Sequence, residues 1–127
     1  MSDLLELFKN WDDILEYPAG KQILSEETAV TNLFVVLSGE VELSLRGKLL
    51  GKESTGGIIG EMAILSSVAG NPTVRALTAV RLARLSREQF TRLISDNPAF
   101  SQQALLSMAK RLRAANAFIS TQLEDRD

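Results

Sequence analysis

Eight residues, Gly56 to Ala63 (GGIIGEMA), bring three glycines and one carboxylate together. Glycine lets backbone amides come close to an anion, and a short helix following such a turn points free N–H groups and a partial positive charge at the same place. A carboxylate in that nest repels a phosphate, so Glu61 is better suited to accept hydrogen bonds from sugar hydroxyls. The combination fits a ribose phosphate. A plain structural turn in which Glu61 caps the helix accounts for the same residues, and both readings are open at this point.

Composition narrows the chemistry. There is no histidine, which removes the commonest general base, the commonest zinc ligand and the Ser-His triads. There is no cysteine either, so disulfides and thiolate metal sites are excluded. Ser66 and Ser67 have no histidine to activate them, and Asp12, Asp13, Glu26 and Glu27 fall in segments that read as exposed loops. The expectation is a binding protein rather than an enzyme, with no required cofactor and no metal. A net charge of -2 disfavours a surface built to hold nucleic acid. No segment approaches the roughly 18 consecutive apolar residues of a membrane span. The N-terminus, MSDLLELFKN, has no basic region followed by an apolar signal. A cytoplasmic protein with neither nucleic acid nor membrane as partner is expected.

The 127 residues, 45% of them hydrophobic, suit one domain spanning 1–127. In DLLELFKNW, the residues Leu4, Leu5, Phe8 and Trp11 recur at helical spacing, predicting a short N-terminal helix over 1–12 that docks as a lid or strut. Over 13–85 the pattern changes to short Val, Ile and Leu runs between turn residues. Val41, Leu43 and Leu45 alternate with polar residues as in a half-buried strand, and Arg46-Gly47-Lys48 reads as a tight turn with Gly47 at positive φ. NLFVVLSG is continuously apolar, as in a strand covered on both faces. Eight such strands predict a mainly β fold, a jelly-roll β-barrel (double-stranded β-helix) with flanking helices.

Two C-terminal helices are expected over 86–124. Ser86 and Gln89 have capping-box spacing, and Phe90, Leu93 and Ile94 follow at helical intervals. Asn97 is placed to cap a second helix, with Pro98 at its first position and its end near Gln122. Along that helix Leu105, Met108, Leu112, Ala115 and Ile119 recur at three and four, an a/d-like seam. Packing on the barrel would explain the seam. A homodimer through this helix explains it slightly better, because Phe100, Leu106 and Phe118 form a second apolar edge that is free to serve the barrel. Lys110, Arg111 and Arg113 spread over more than one helical face and read as solvated.

From YPAGKQIL through LFVVLSGEVEL and GGIIGEMAIL to VRALTAVRLARLSREQFTRLISDNP, nearly the whole chain resembles the cyclic nucleotide-binding domains. These are shared by catabolite-activator-type regulators, cAMP-dependent kinase regulatory subunits and cyclic-nucleotide-gated channels. The resemblance implies a phosphate-binding cassette over about 57–76. In it, Glu61 would hold the ribose 2′-hydroxyl, and the backbone of Gly60, Met62 and Ala63 would help hold the cyclic phosphate of cAMP or cGMP.

The departures from the family pattern bear on affinity. Tight-binding members carry an arginine followed by a small residue, and here Gly70 and Asn71 stand in those places. Losing one charged partner of a phosphate costs about 1.5–3 kcal/mol, or roughly 10- to 150-fold in affinity. Asn71 is able to donate to a phosphate oxygen or to complete a turn. Arg75 either swings into the pocket or stays solvated on a strand whose Val74 and Ala76 face inward. Asn116 falls where the family's last helix contacts the base, and it is equally suited to fix dimer register. An acidic residue that commonly precedes the glycine-glutamate pair is replaced by Gly57, and SEETAV stands where a glycine-acid pair is frequent. Two functions are therefore carried forward. One is a free-standing, weak-binding nucleotide sensor that signals to an effector protein of unknown identity. The other is a nucleotide-independent interaction or dimerisation module of the same fold.

Overall fold

The short apolar runs form eight strands: β1 (Ile14–Tyr17), β2 (Gln22–Leu24), β3 (Asn32–Ser38), β4 (Val41–Leu45), β5 (Lys48–Glu53), β6 (Ile58–Ile59), β7 (Thr73–Ala76) and β8 (Val80–Ser86). The computed structural model describes residues 6–25, 32–60, 72–107 and 109. The strands pair antiparallel in two four-stranded sheets, ordered β1-β8-β3-β6 and β2-β7-β4-β5. This is the expected mainly β architecture with helices at its C-terminal side.

β3, in the first sheet, is buried on both faces. In β3, Phe34 and Val36 point between the sheets, where they meet Val41, Leu43, Ile59, Val74, Ala76 and Leu82. Leu33, Val35 and Leu37 point the other way, onto Phe8, Phe90, Phe100 and Ala104. A period of two with no polar face is what a strand between two apolar layers requires. It accounts for the continuous run in NLFVVLS.

In the β4–β5 hairpin both loop residues have positive φ, Arg46 at 52° and Gly47 at 78°. Two such residues make the primed turn whose twist matches the strands it joins. The positive φ of Arg46 is additional to the one expected at Gly47.

The predicted capping box closes α1 (Arg87–Asp96). Gln89 N–H donates to Ser86 Oγ at 3.1 Å, and Ser86 N–H donates to Gln89 Oε1 at 2.8 Å. Asn97 ends α1 by donating its N–H to Leu93 O at 2.9 Å, and its side-chain amide donates to the same oxygen. Its carbonyl accepts from Ser101 N–H at 3.0 Å, which begins a second helix, α2, helical over 98–107. The predicted continuation to Gln122 lies outside the described residues, apart from position 109, which is helical.

One packing expectation is overturned. Leu106 was assigned to the edge facing the barrel, but it is 64% exposed, as is Leu105 at 67%. Phe100 is buried as expected of that edge, and Ala104 and Ser107, four and seven residues on, complete the stripe in place of Leu106, while Phe118 lies outside the described residues. The two small residues let the helix axis come closer to the sheet than leucine would.

At the N-terminus residues 6 and 7 are helical and a turn follows through 10. Phe8 packs edge-on against Trp11, with centroids 5.0 Å apart, and lies 6.1 Å from Phe100. Trp11 Nε1 donates to Arg84 O at 2.9 Å. Arg84 N–H and Nε bond Asp13 O and Oδ2, each at 2.9 Å. That carboxylate pushes the Arg84 guanidinium further above its already high pKa. The segment thus acts as a strut rather than a loose tail. Arg84 of β8 is one of its anchors.

Candidate functional site

β6 is the strand that delivers the glycine-rich stretch. Ile58 and Ile59 pair with Val35 and Phe34 of β3, and their side chains go to opposite layers. Ile59 faces the space between the sheets. The strand then breaks at Gly60, which is buried and has φ 92°. That left-handed conformation is costly for any residue with a Cβ, so the turn needs glycine here. Gly56, with φ 93°, makes the turn that enters the strand.

The space behind Gly60 is apolar. Leu24, Phe34, Val36, Val41, Leu43, Ile59, Val74, Ala76, Val80 and Leu82 all pack there. Among the described residues no lysine or arginine is buried, and Glu53 is the one buried charged side chain. Glu53 lies against Gly57: a Cβ at 57 would overlap its carboxylate and come within 2.8 Å of its own Cβ. Gly57 is therefore where Glu53 packs, a constraint not visible in the local sequence.

Of the predicted site residues, the structure places Gly60 and Arg75. Glu61, Met62, Ala63, Gly70, Asn71 and Asn116 lie outside the described residues. Arg75 is exposed on β7 between inward-facing Val74 and Ala76, whose side chains are fully buried. It stands beside Glu42 and Gln22 in the sheet register, and its Nη1 is 3.5 Å from Gly20 O. This outward position follows from strand alternation. Of its two readings, the solvated one describes the geometry.

Among the described residues, two surface grooves lie on the outside of the sheets. One, of about 490 Å³, is lined by residues including Tyr17, Ser38 and Val80; the other, of about 620 Å³, by residues including Phe8, Trp11 and Leu37. They share Arg81, which bonds Glu16 at 3.3 Å, and neither includes Gly60. No group of acidic side chains among the described residues is arranged to hold a metal ion. No described helix is long and apolar enough to cross a membrane.

The arrangement sets the left-handed turn at Gly60 beside the apolar layer between the two sheets. Sequence reasoning found the turn. It missed Glu53, Ser107 and Gln103, polar residues around β6 that local patterns assign to exposed faces. Ser107 is 3% exposed, and its hydroxyl bonds the backbone of Ile58; Gln103 Nε2 donates to Gly56 O at 2.9 Å.

Comparison with known proteins bears on this site. The model of the cyclic nucleotide-binding domain family matches residues 14–97, more than half of the chain. A cGMP-dependent protein kinase of Caenorhabditis elegans is 42% identical over 72 residues, which are 57% of this chain and 9% of the kinase. A CRP-like cAMP-activated global transcriptional regulator of Mycobacterium tuberculosis is 26% identical over 107 residues, covering 80% of this chain and 48% of the regulator. The chain thus spans less than half the length of these relatives. Among solved structures, the heme domain of CooA from Carboxydothermus hydrogenoformans superposes with a TM-score of 0.79 at 17% identity. That match covers 100% of this chain and 99% of the other, a likeness of fold.

Proposed function

The chain belongs to the cyclic nucleotide-binding domain family, and from that premise we propose that it is a regulatory domain that binds cAMP or cGMP between its two sheets. The observation that carries this reading is Gly60. It is buried, with φ 92°, at the end of a strand whose last side chain faces the apolar layer between the sheets. In this reading the purine lies against that layer, Glu61 accepts from the ribose 2′-hydroxyl, and the amides of Gly60, Met62 and Ala63 face the cyclic phosphate. Asn71 adds a neutral donor and Asn116 meets the base edge. The relatives that match include a kinase named for cGMP and a regulator named for cAMP, which supports a cyclic purine nucleotide as the ligand class.

Affinity in this reading is weak. Gly70 stands where the family's arginine is expected, and Arg75 is turned outward. The phosphate charge is then met by backbone dipoles and the neutral Asn71 side chain, at a loss of roughly 10- to 150-fold relative to an arginine-bearing site. The protein supplies binding rather than catalysis, needs no cofactor, and works in the cytoplasm with neither membrane nor nucleic acid as partner. With no histidine or cysteine, it also lacks the side chains that most often hold a haem iron.

Output passes through the last helix to an effector protein or a second copy. Leu105 is exposed at the start of the seam that Met108, Leu112, Ala115 and Ile119 continue in sequence, and its period of three and four matches itself in a symmetric pair. Those same exposed leucines, with the absence of a buried cation among the described residues, favour the second reading, a dimerisation module without nucleotide. Isothermal titration calorimetry with cAMP and with cGMP, on the wild-type protein and on Glu61→Ala, separates the two. Saturable micromolar binding lost in the variant is expected. Absence of heat at millimolar nucleotide, with folded and nucleotide-free protein, would leave the dimerisation module.

A further inference from the structure

β6 is a strand of two residues with one strand neighbour. Gly57 O accepts from Val36 N–H of β3 at 2.9 Å. Backbone polar groups of successive strand residues point to alternate sides, so the N–H and C=O of Ile58 point away from β3, toward the sheet edge. That edge is dry: Ile58 is fully buried and Ser107 is 3% exposed. Ser107 of α2 stands there. Ile58 N–H donates to Ser107 Oγ at 3.1 Å, and the hydroxyl lies 3.4 Å from Ile58 O, which it is placed to donate to. One turn earlier along the helix, Gln103 Nε2 donates to Gly56 O at 2.9 Å. A helix here closes an exposed sheet edge, using side chains where a neighbouring strand would use its backbone.

Three features set this contact apart from ordinary packing. Serine is a mediocre helix former, and a buried hydroxyl without partners is costly, so its presence on the buried stripe calls for a polar task. The stripe is narrowed by Ala104, which brings the helix within hydrogen-bond reach of β6. With two paired residues and one strand neighbour, β6 is held by few backbone pairs, so the helix contributes much of what fixes it. A shift of the helix by an ångström would take the 3.1 and 3.4 Å contacts out of range together.

We propose that Ser107, seconded by Gln103, is the positioning residue through which α2 holds the backbone of β6 and so sets the turn at Gly60. Its consequence for binding rests on the reading of Gly60 to Ala63 as the nucleotide site. The proposal about the backbone does not.

The test compares Ser107→Ala with Ser107→Thr, which keeps the hydroxyl, by amide hydrogen exchange and nitrogen–proton spectra of the ligand-free protein. In Ser107→Ala, exchange at Ile58 rises about tenfold relative to Leu43 of β4 in the same sample, and the Gly60 resonance shifts. Ser107→Thr stays close to wild type at both. Equal behaviour of the two variants at Ile58 and Gly60 would overturn the proposal. If Ser107→Ala does not fold, Gln103→Ala at its half-buried position carries the same measurement, with Gly56 and Gly57 as the responding residues and an unchanged spectrum there as the refuting result. Calorimetry with cAMP adds a second arm, in which Ser107→Ala weakens binding about tenfold and Ser107→Thr restores it. Wild-type binding that Ser107→Ala leaves unaltered would also overturn the positioning role. Failure of the wild type to bind either nucleotide, with the Ile58 and Gly60 effects present, would reject the nucleotide reading and leave the helix-to-strand latch standing.

Discussion

Substituting Gly39 by alanine should unsettle the corner where the β3–β4 and β7–β8 connections meet. Gly39 has φ 87°, and a Cβ there would overlap the carbonyl oxygen of Ala79, with Val80 Cγ1 at 2.7 Å and Thr78 Oγ1 at 2.9 Å. The obstacles cannot easily withdraw, because Glu40 N–H bonds Thr78 Oγ1 at 3.0 Å and Leu77 N–H bonds Glu40 O at 2.9 Å. Holding an L-residue in the left-handed region costs about 1–2 kcal/mol. Forcing extra volume into a packed site adds about 1–3 kcal/mol. The expected loss is therefore about 2–5 kcal/mol. Gly47→Ala is the internal control: φ is 78° but nothing lies within 4 Å of the added carbon, so only the backbone part, about 1–2 kcal/mol, is expected. Urea unfolding of both variants gives the comparison, with midpoints shifted and slopes unchanged. A Gly39→Ala loss no larger than that of Gly47→Ala would refute the steric reasoning.

Further outcomes follow from particular residues. Gly70→Arg should tighten cAMP or cGMP binding by roughly 10- to 150-fold in calorimetry, the inverse of the loss assigned to that position. Arg75→Ala should leave the affinity unchanged within about twofold, since Arg75 faces solvent; a large loss would return it to the site. Ser86→Ala removes one of the two reciprocal capping bonds and should cost about 1 kcal/mol in urea unfolding, and a neutral result would mean that the cap carries no stability. Leu105→Glu should convert a sedimenting dimer to monomer while leaving the far-ultraviolet spectrum intact, and an unchanged sedimentation coefficient would remove the last helix as the dimer surface.

What could be read from the chain is what is decided locally. The capping box at Ser86 and Gln89 involves residues three apart, and the double burial of β3 follows from five consecutive apolar residues. The Gly56 to Gly60 stretch announced itself because glycine has few other reasons to recur so densely. Arg46 was illegible as a positive-φ residue because its neighbour Gly47 offers a sufficient turn by itself. The helix stripe was misassigned for a different reason. A period of 3.6 reveals that a helix has apolar edges, but not which edge the barrel takes, and the barrel took small Ala104 and Ser107 over Leu106. Glu53 and Ser107 read as surface residues in any local window. Their burial is set by β5, β6 and α2 coming together, and by Gly57 leaving room for the Glu53 side chain.

The central claim is that a cyclic purine nucleotide lies between the two sheets, against Gly60. A titration of labelled protein with cAMP and with cGMP, followed residue by residue in nitrogen–proton spectra, tests it most directly. Saturable shifts are expected at Ile59 and Gly60 and at the inward-facing residues Leu43, Val74 and Ala76, with the outer-face residues Glu42 and Arg75 little changed. Spectra that stay fixed at millimolar nucleotide, or shifts confined to the outer grooves around Arg81, would contradict it.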